Sequence, residues 1–239
     1  MVHMIELRFD LEALLRYVSD QGFSIQDDDL GYGVHAWMAA AFGDLAPKPW
    51  RLLVDRRRPP RILGYSCHDA EALRQMLREF AHPGVFAVTA DPSYMITSRP
   101  MPVFASGRRL AFELLVSPVG RQASTGVEKD LFLIAADSSK EKSLQRETVY
   151  LNWARERMER GSACTVTKIQ MSGFRLVRIT RRTQGKNSKR IRRNLIRPQV
   201  LIRGELMVSQ PEAFNLLLSQ GVGRHRSFGY GMLLLKPVS

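Results

Sequence analysis

Residues 221–235, GVGRHRSFGYGMLLL, set four glycines, Arg224, His225, Arg226 and two aromatics ahead of an apolar run. Glycines next to cations suit a phosphate, because bare backbone can approach the anion while the side chains neutralise it. A dinucleotide loop, however, follows a strand and opens a helix, so that the pyrophosphate meets the helix N-terminus. Here a helical stretch comes first and an apolar strand follows, and no Gly-Lys-Ser/Thr ending marks a P-loop. What fits is a loop in which Gly221, Gly223, Gly229 and Gly231 let the backbone lie close to a bulky partner. Arg224, His225 and Arg226 then supply cationic and hydrogen-bonding groups. A plainer reading makes Gly221 a helix C-cap and the rest a tight turn, which accounts for one glycine of the four.

Metal chemistry finds no ligand set in the sequence, and no cofactor motif is present. Cys67 and Cys164 are far apart and read as small core residues in a reducing, cytoplasmic compartment. Asp27, Asp28 and Asp29 form the only acid cluster, and adjacent helix positions point in different directions. They suit the positive end of a helix dipole.

The elements that must position these residues repeat an order. Residues 4–9 and 10–19 read as a strand and a short amphipathic helix, and 24–44 as a second helix. Strands follow at 49–56 and 61–67 around the turn RRPP. Residues 68–81 read as a helix with Leu73, Met76, Leu77 and Phe80 on one face, and 84–90 and 93–101 as strand material. The second half opens with a strand at 108–118 and an exposed loop at 119–130, then a long helix at 140–161. Strands at 163–182 and 188–209 flank the turn TQGKN, a helix spans 210–220 with proline in its first turn, and a last strand covers 231–238. Both halves thus predict βαββαβ, giving an α+β protein of two tandem ferredoxin-like domains, 1–104 and 105–239, with a C-terminal glycine-rich loop. No run of 18 apolar residues is present, so no membrane partner is expected, and the N-terminus lacks the apolar middle of a signal peptide.

Charge separates the halves. The net charge is +13, yet residues 1–107 carry 11 Lys/Arg against 13 Asp/Glu, whereas 108–239 carry 25 against 10. Between 173 and 204 there are eleven Lys/Arg and no acid. Such one-signed charge in a compact domain calls for a polyanion, and nucleic acid is the commonest. The bland alternative is a solvated face.

The closing segment RGELMVSQPEAFNLLLSQGVGRHRSFGYGMLLLKP, with LAFELLVSP opening the second domain, resembles the repeat-associated (RAMP) superfamily of CRISPR proteins. Within it the chain is most similar to the CasE family of precursor CRISPR-RNA endoribonucleases, of the type I-E subtype. That resemblance implies a metal-independent enzyme that binds a CRISPR repeat stem-loop and cuts at its base. The ribose 2′-OH would attack the adjacent phosphorus, leaving a 2′,3′-cyclic phosphate and a 5′-OH. It further implies that the protein stays with its product as a subunit of a Cascade-like effector complex and has no direct DNA partner.

The family's N-terminal helix carries Tyr-x-x-His, and YGVH here supplies Tyr32 and His35. A histidine suits proton transfer near neutral pH, since its ordinary pKa is about 6.5. On a helix His35 falls at the edge of the stripe Leu30, Val34, Trp37, Met38, Ala41, whereas a core histidine would sit inside it. His35 is thus the expected base or acid and Tyr32 its positioning partner. His225 is the rival, as a catalyst or as a phosphate-holding or loop-packing residue. His3, His68 and His82 read as structural.

RNA contact is expected from Arg181, Arg182, Lys186, Lys189, Arg190, Arg192 and Arg193 in the basic hairpin, and from Arg224, Arg226 and Ser227 in the loop. With Phe174 the only aromatic in the corresponding strands, stem shape and backbone charge fit better than base stacking. Two other readings stay open: a non-catalytic RAMP-type RNA-binding subunit, and a general basic RNA chaperone.

Overall fold

The computed structural model describes residues 1–22, 30–55, 58–121, 126–138, 143–184 and 190–238; side chains of 179–184 and 190–195 are outside that description. The chain divides into two compact units. One comprises Met1–Met101, Arg178–Ile196 and Ser227–Gly229; the other comprises Pro102–Val177, Arg197–Arg226 and Tyr230–Ser239.

In the first unit, β1 (His3–Arg8) alternates and buries Ile5 and Leu7. Asp10 caps α1 (Leu11–Asp20), its carboxylate accepting the Ala13 N–H at 2.9 Å. Next come α2 (Leu30–Phe42) and the hairpin of β2 (Trp50–Asp55) and β3 (Arg58–Ser66). Asp69 likewise caps α3 (Ala70–Phe80). Short helices α4 (Pro83–Phe86) and α5 (Pro92–Met95) precede β4 (Ile96–Pro100). The antiparallel sheet runs β2-β3-β1-β4, the ferredoxin-like order. Its core gathers Leu14, Trp37, Phe42, Trp50, Ile62 and Leu73, all fully buried.

The second unit repeats the plan. Strand β5 (Arg109–Val116) buries Leu110, Phe112, Leu114 and Val116 in strict alternation. A small hairpin, β6 (Val119–Arg121) with β7 (Glu128–Asp130), leads into α6 (Leu131–Ser138) and α7 (Arg146–Glu159). Strands β8 (Cys164–Gln184) and β9 (Arg190–Val208), helix α8 (Pro211–Gln220) and β10 (Leu233–Pro237) complete it, with sheet order β10-β5-β9-β8. The Tyr150 hydroxyl donates to Asp130 at 2.7 Å, and Arg146 pairs with the same carboxylate, tying α7 to β7.

The expected α+β fold of two ferredoxin-like domains is therefore present, with local departures. Residues 84–89 and 93–95 are helical rather than strand: Pro83 opens the first helical turn and Pro92 the second. The expected loop at 119–130 contains the β6–β7 hairpin, and Arg58–Pro60, read as turn, belong to β3. Cys67 is exposed rather than core, while Cys164 is buried. Phe80 faces solvent at the end of α3. Asp27, Asp28 and Asp29 lie outside the described residues.

Candidate active site and RNA interface

Helix α2 carries the two residues expected to do chemistry. Val34, Trp37, Met38 and Ala41 point into the core, which leaves His35 half-buried at the stripe's edge and Tyr32 half-buried on the far side. Their ring centroids are 6.4 Å apart and nearly perpendicular. Phe228, in the segment Ser227–Gly229 of the same unit, completes the group. Its ring lies 4.6 Å from the His35 imidazole and stacks on Tyr32 at 6.1 Å and 20°.

The glycines of this helix, poor helix formers, are explained by close approach. A Cβ on Gly31 would stand 3.0 Å from the Phe228 carbonyl oxygen, and one on Gly33 would stand 2.9 Å from Val18 Cγ2. Gly229 packs its backbone on the Trp50 indole at a φ of +88°, where a side chain would meet the ring at 3.0 Å.

Burial lowers the pKa of His35 below the ordinary 6.5, and the positive charge of Lys48 lowers it further. Both effects disfavour imidazolium, so at neutral pH the ring is neutral and can accept a proton.

In the second unit Arg224 and His225 of the loop and Arg197 of β9 converge on Glu128 of β7, a carboxylate only 8% exposed. Arg224 donates to it at 2.9 Å, His225 Nε2 lies 3.2 Å away and Arg197 lies 4.0 Å away. His225 is itself 9% exposed and sits at a φ of +60°. Arg226 donates to the Gln220 carbonyl at the end of α8. Gly221 ends that helix, its N–H bonded to the Leu217 carbonyl at 2.8 Å, and Gly223 lies against Trp153.

Of the expected hairpin cations, Lys186 and Lys189 lie outside the described residues. Arg181, Arg182, Arg190, Arg192 and Arg193 stand on the β8 and β9 backbones, with side chains outside the description. Ser227 is half-buried in the first unit. Sequence reasoning missed Phe228, Lys48 and Glu128 as neighbours of the candidate histidines. Phe228 lay within the glycine stretch already singled out. Glu128 carried no signal, standing 96 residues before Arg224. Among the described residues no three His, Cys, Asp or Glu side chains group as a metal would need, and no helix is long and apolar enough to cross a membrane.

Two ferredoxin-like units, one bearing a half-buried histidine on its second helix, define a tandem ferredoxin-like α+β protein with a candidate acid–base site. The family model for CRISPR associated protein matches residues 2–237, and the chain belongs to that family. It is similar to Cse3 of Thermus thermophilus bound to an RNA representing a pre-cleavage complex, at 20% identity over 99% of each chain and a TM-score of 0.62. It is similar also to Cas6e of Escherichia coli K-12, at 16% identity over the whole of both chains and a TM-score of 0.51. A chain of a CRISPR RNA-guided surveillance complex matches at 14% identity, over the whole of both chains, with a TM-score of 0.51. At these identities the likeness establishes the fold. No curated protein matches the chain.

Proposed function

We propose that the protein is a CRISPR precursor-RNA endoribonuclease, binding the repeat stem-loop and cutting at its base without a metal. The observation that carries this reading is the half-buried His35, neutral at neutral pH and packed with Tyr32 and Phe228, in a chain of the CRISPR associated protein family. Neutral His35 takes the proton of the ribose 2′-OH as the 2′-oxygen bonds to phosphorus. The bond to the 5′-oxygen breaks, and that oxygen leaves with a proton from solvent water, while His35 returns its own proton to solvent. The products are a 2′,3′-cyclic phosphate and a 5′-OH. Tyr32 and Phe228 hold the imidazole at its angle. Phosphate contact comes from the basic hairpin (Arg181, Arg182, Lys186, Lys189, Arg190, Arg192, Arg193) and from the loop (Arg224, Arg226 and Ser227). The net charge of +15 over 108–239 supports that assignment. The glycine residues Gly221, Gly223, Gly229 and Gly231 shape the loop. His225, clasped to Glu128, serves this loop as a packing residue. The product stays bound, and the protein acts within an RNA-guided effector complex in the cytoplasm.

The test is incubation of wild type and His35→Ala with a labelled repeat stem-loop in EDTA, with product ends probed for cyclic phosphate. Cutting by wild type alone, with a 2′,3′-cyclic end, is the expected result. Cutting by both would remove His35 from the mechanism and turn attention to His225. Binding without cutting by either would leave a stem-holding subunit.

A further inference from the structure

The second unit contains a cavity of about 600 Å³ that holds none of the residues proposed for the proton transfer, although Arg224 and Arg226 of the proposed phosphate contacts line it. It lies between α7, α8, β6 and the start of the glycine-rich loop, and its size is within the range of about 300–1,000 Å³ typical of ligand sites. Its cationic lining is Arg121, Arg157, Arg160, Arg224 and Arg226, with Trp153 among them, and no carboxylate lines it. Arg224 is neutralised by Glu128. Among the described residues, Arg121, Arg157, Arg160 and Arg226 have no ion-pair partner within 4.0 Å. Four uncompensated guanidiniums around a concave wall focus a positive potential on an anion. Each can also offer the planar fork that matches phosphate.

An inorganic anion alone would leave the rest of the lining unexplained. Leu216, Leu217 and Val222 give the cavity an apolar side, and the half-buried Trp153 indole presents a flat aromatic surface. The indole is held in place: a Cβ on Gly223 would stand 2.8 Å from its outer ring edge, so the loop backbone fits against it only as glycine. Fixed aromatic plane, apolar wall and guanidiniums together match a nucleobase with its phosphate, the combination by which unpaired nucleotides are bound. A base stacked inside a duplex could not present its face to the indole.

We propose that this cavity seats one unpaired, phosphorylated nucleotide of single-stranded RNA, its base against Trp153 and its phosphate on Arg157 and Arg160. The proposal rests on RNA being the ligand, as in the function proposed above, and adds a single-strand subsite to a stem-binding protein.

The tryptophans allow a direct test, because Trp37 and Trp50 are fully buried and Trp153 alone is accessible. The full-length protein is titrated with a six-nucleotide single-stranded RNA while tryptophan fluorescence is followed. Saturable quenching is expected in wild type, weakened about tenfold or more in the Arg157→Ala/Arg160→Ala variant and lost in Trp153→Phe. Inorganic phosphate should compete far more weakly than the oligonucleotide. Absence of quenching in wild type, or quenching indifferent to the arginine substitutions, would overturn the proposal, and circular dichroism shows that the variants are folded. Stem-loop cleavage is scored separately. A protein that quenches without cutting keeps this subsite and loses the nuclease reading, whereas one that cuts without quenching does the reverse.

Discussion

The acid–base character of His35 is set by its neighbours more than by its type. An exposed histidine is half protonated near pH 6.5 and would waste much of its capacity as a base. Burial, to which Phe228 contributes with its ring 4.6 Å away, works against imidazolium, and so does the charge of Lys48. The folded ring therefore binds its proton less readily than an unfolded histidine does, and it stays neutral down to a pH below 6.5. For a general base, cleavage should fall on the acid side with a midpoint below 6.5, and single-turnover rates across pH would show it. Phe228→Ala admits water to the imidazole. The acid limb should then move up toward 6.5, and the rate at its plateau should drop about tenfold as the ring loses its fixed orientation. A Phe228 that merely packs would change thermal stability without moving that limb. His35→Ala removes the proposed base and should cost about 10²- to 10⁴-fold in cleavage rate.

At the scale of elements, glycines mark where backbones must meet. Gly204 sits in the middle of β9, opposite Phe112 in the register with β5. An added Cβ there would stand 2.0 Å from the Lys168 carbonyl oxygen of β8 and 2.9 Å from the Phe112 ring. Neither the β8 backbone nor a buried aromatic can yield that much, so strand interior glycine, usually a weakness, is required here. Gly204→Ala should cost about 3 kcal/mol of unfolding free energy, measured by denaturant titration, through displacement of β8 from β9. Gly31 and Gly33 follow the same logic on α2, giving up helix propensity so that Phe228 and Val18 can come close. Residues 84–90 show the limit of local reading. A short apolar run fits a buried strand and a buried helical turn equally well, and Pro83 at its start favours the turn.

Over the whole molecule the electrostatics are lopsided. Residues 1–107 are slightly acidic and 108–239 carry nearly all the positive charge. If the basic segments neutralise about six phosphates of a repeat stem, affinity should fall about a thousandfold between 50 and 200 mM salt. Filter binding of the stem-loop across that range measures the slope. A slope near zero would show that the cations face solvent rather than RNA.

The main strands and helices, the doubling of the βαββαβ unit and the concentration of positive charge in the second half were legible in the chain, whereas the helical turns at 83–95, the β6–β7 hairpin and α6 were not. The legible features rest on local periodicity or on composition, which need no partner from afar. The catalytic candidate was legible only in part: YGVH put Tyr32 and His35 on neighbouring helix positions, His35 at the edge of the stripe and Tyr32 on its far side, and the structure leaves both half-buried. Contacts that join distant residues were decided by tertiary structure. Phe228 reaches His35 across nearly two hundred residues, Glu128 gathers Arg197, Arg224 and His225, and Trp153 meets Gly223 beside the arginine cavity. No local pattern encodes such meetings, because burial, pKa and cavity shape arise only when the sheets and helices have packed.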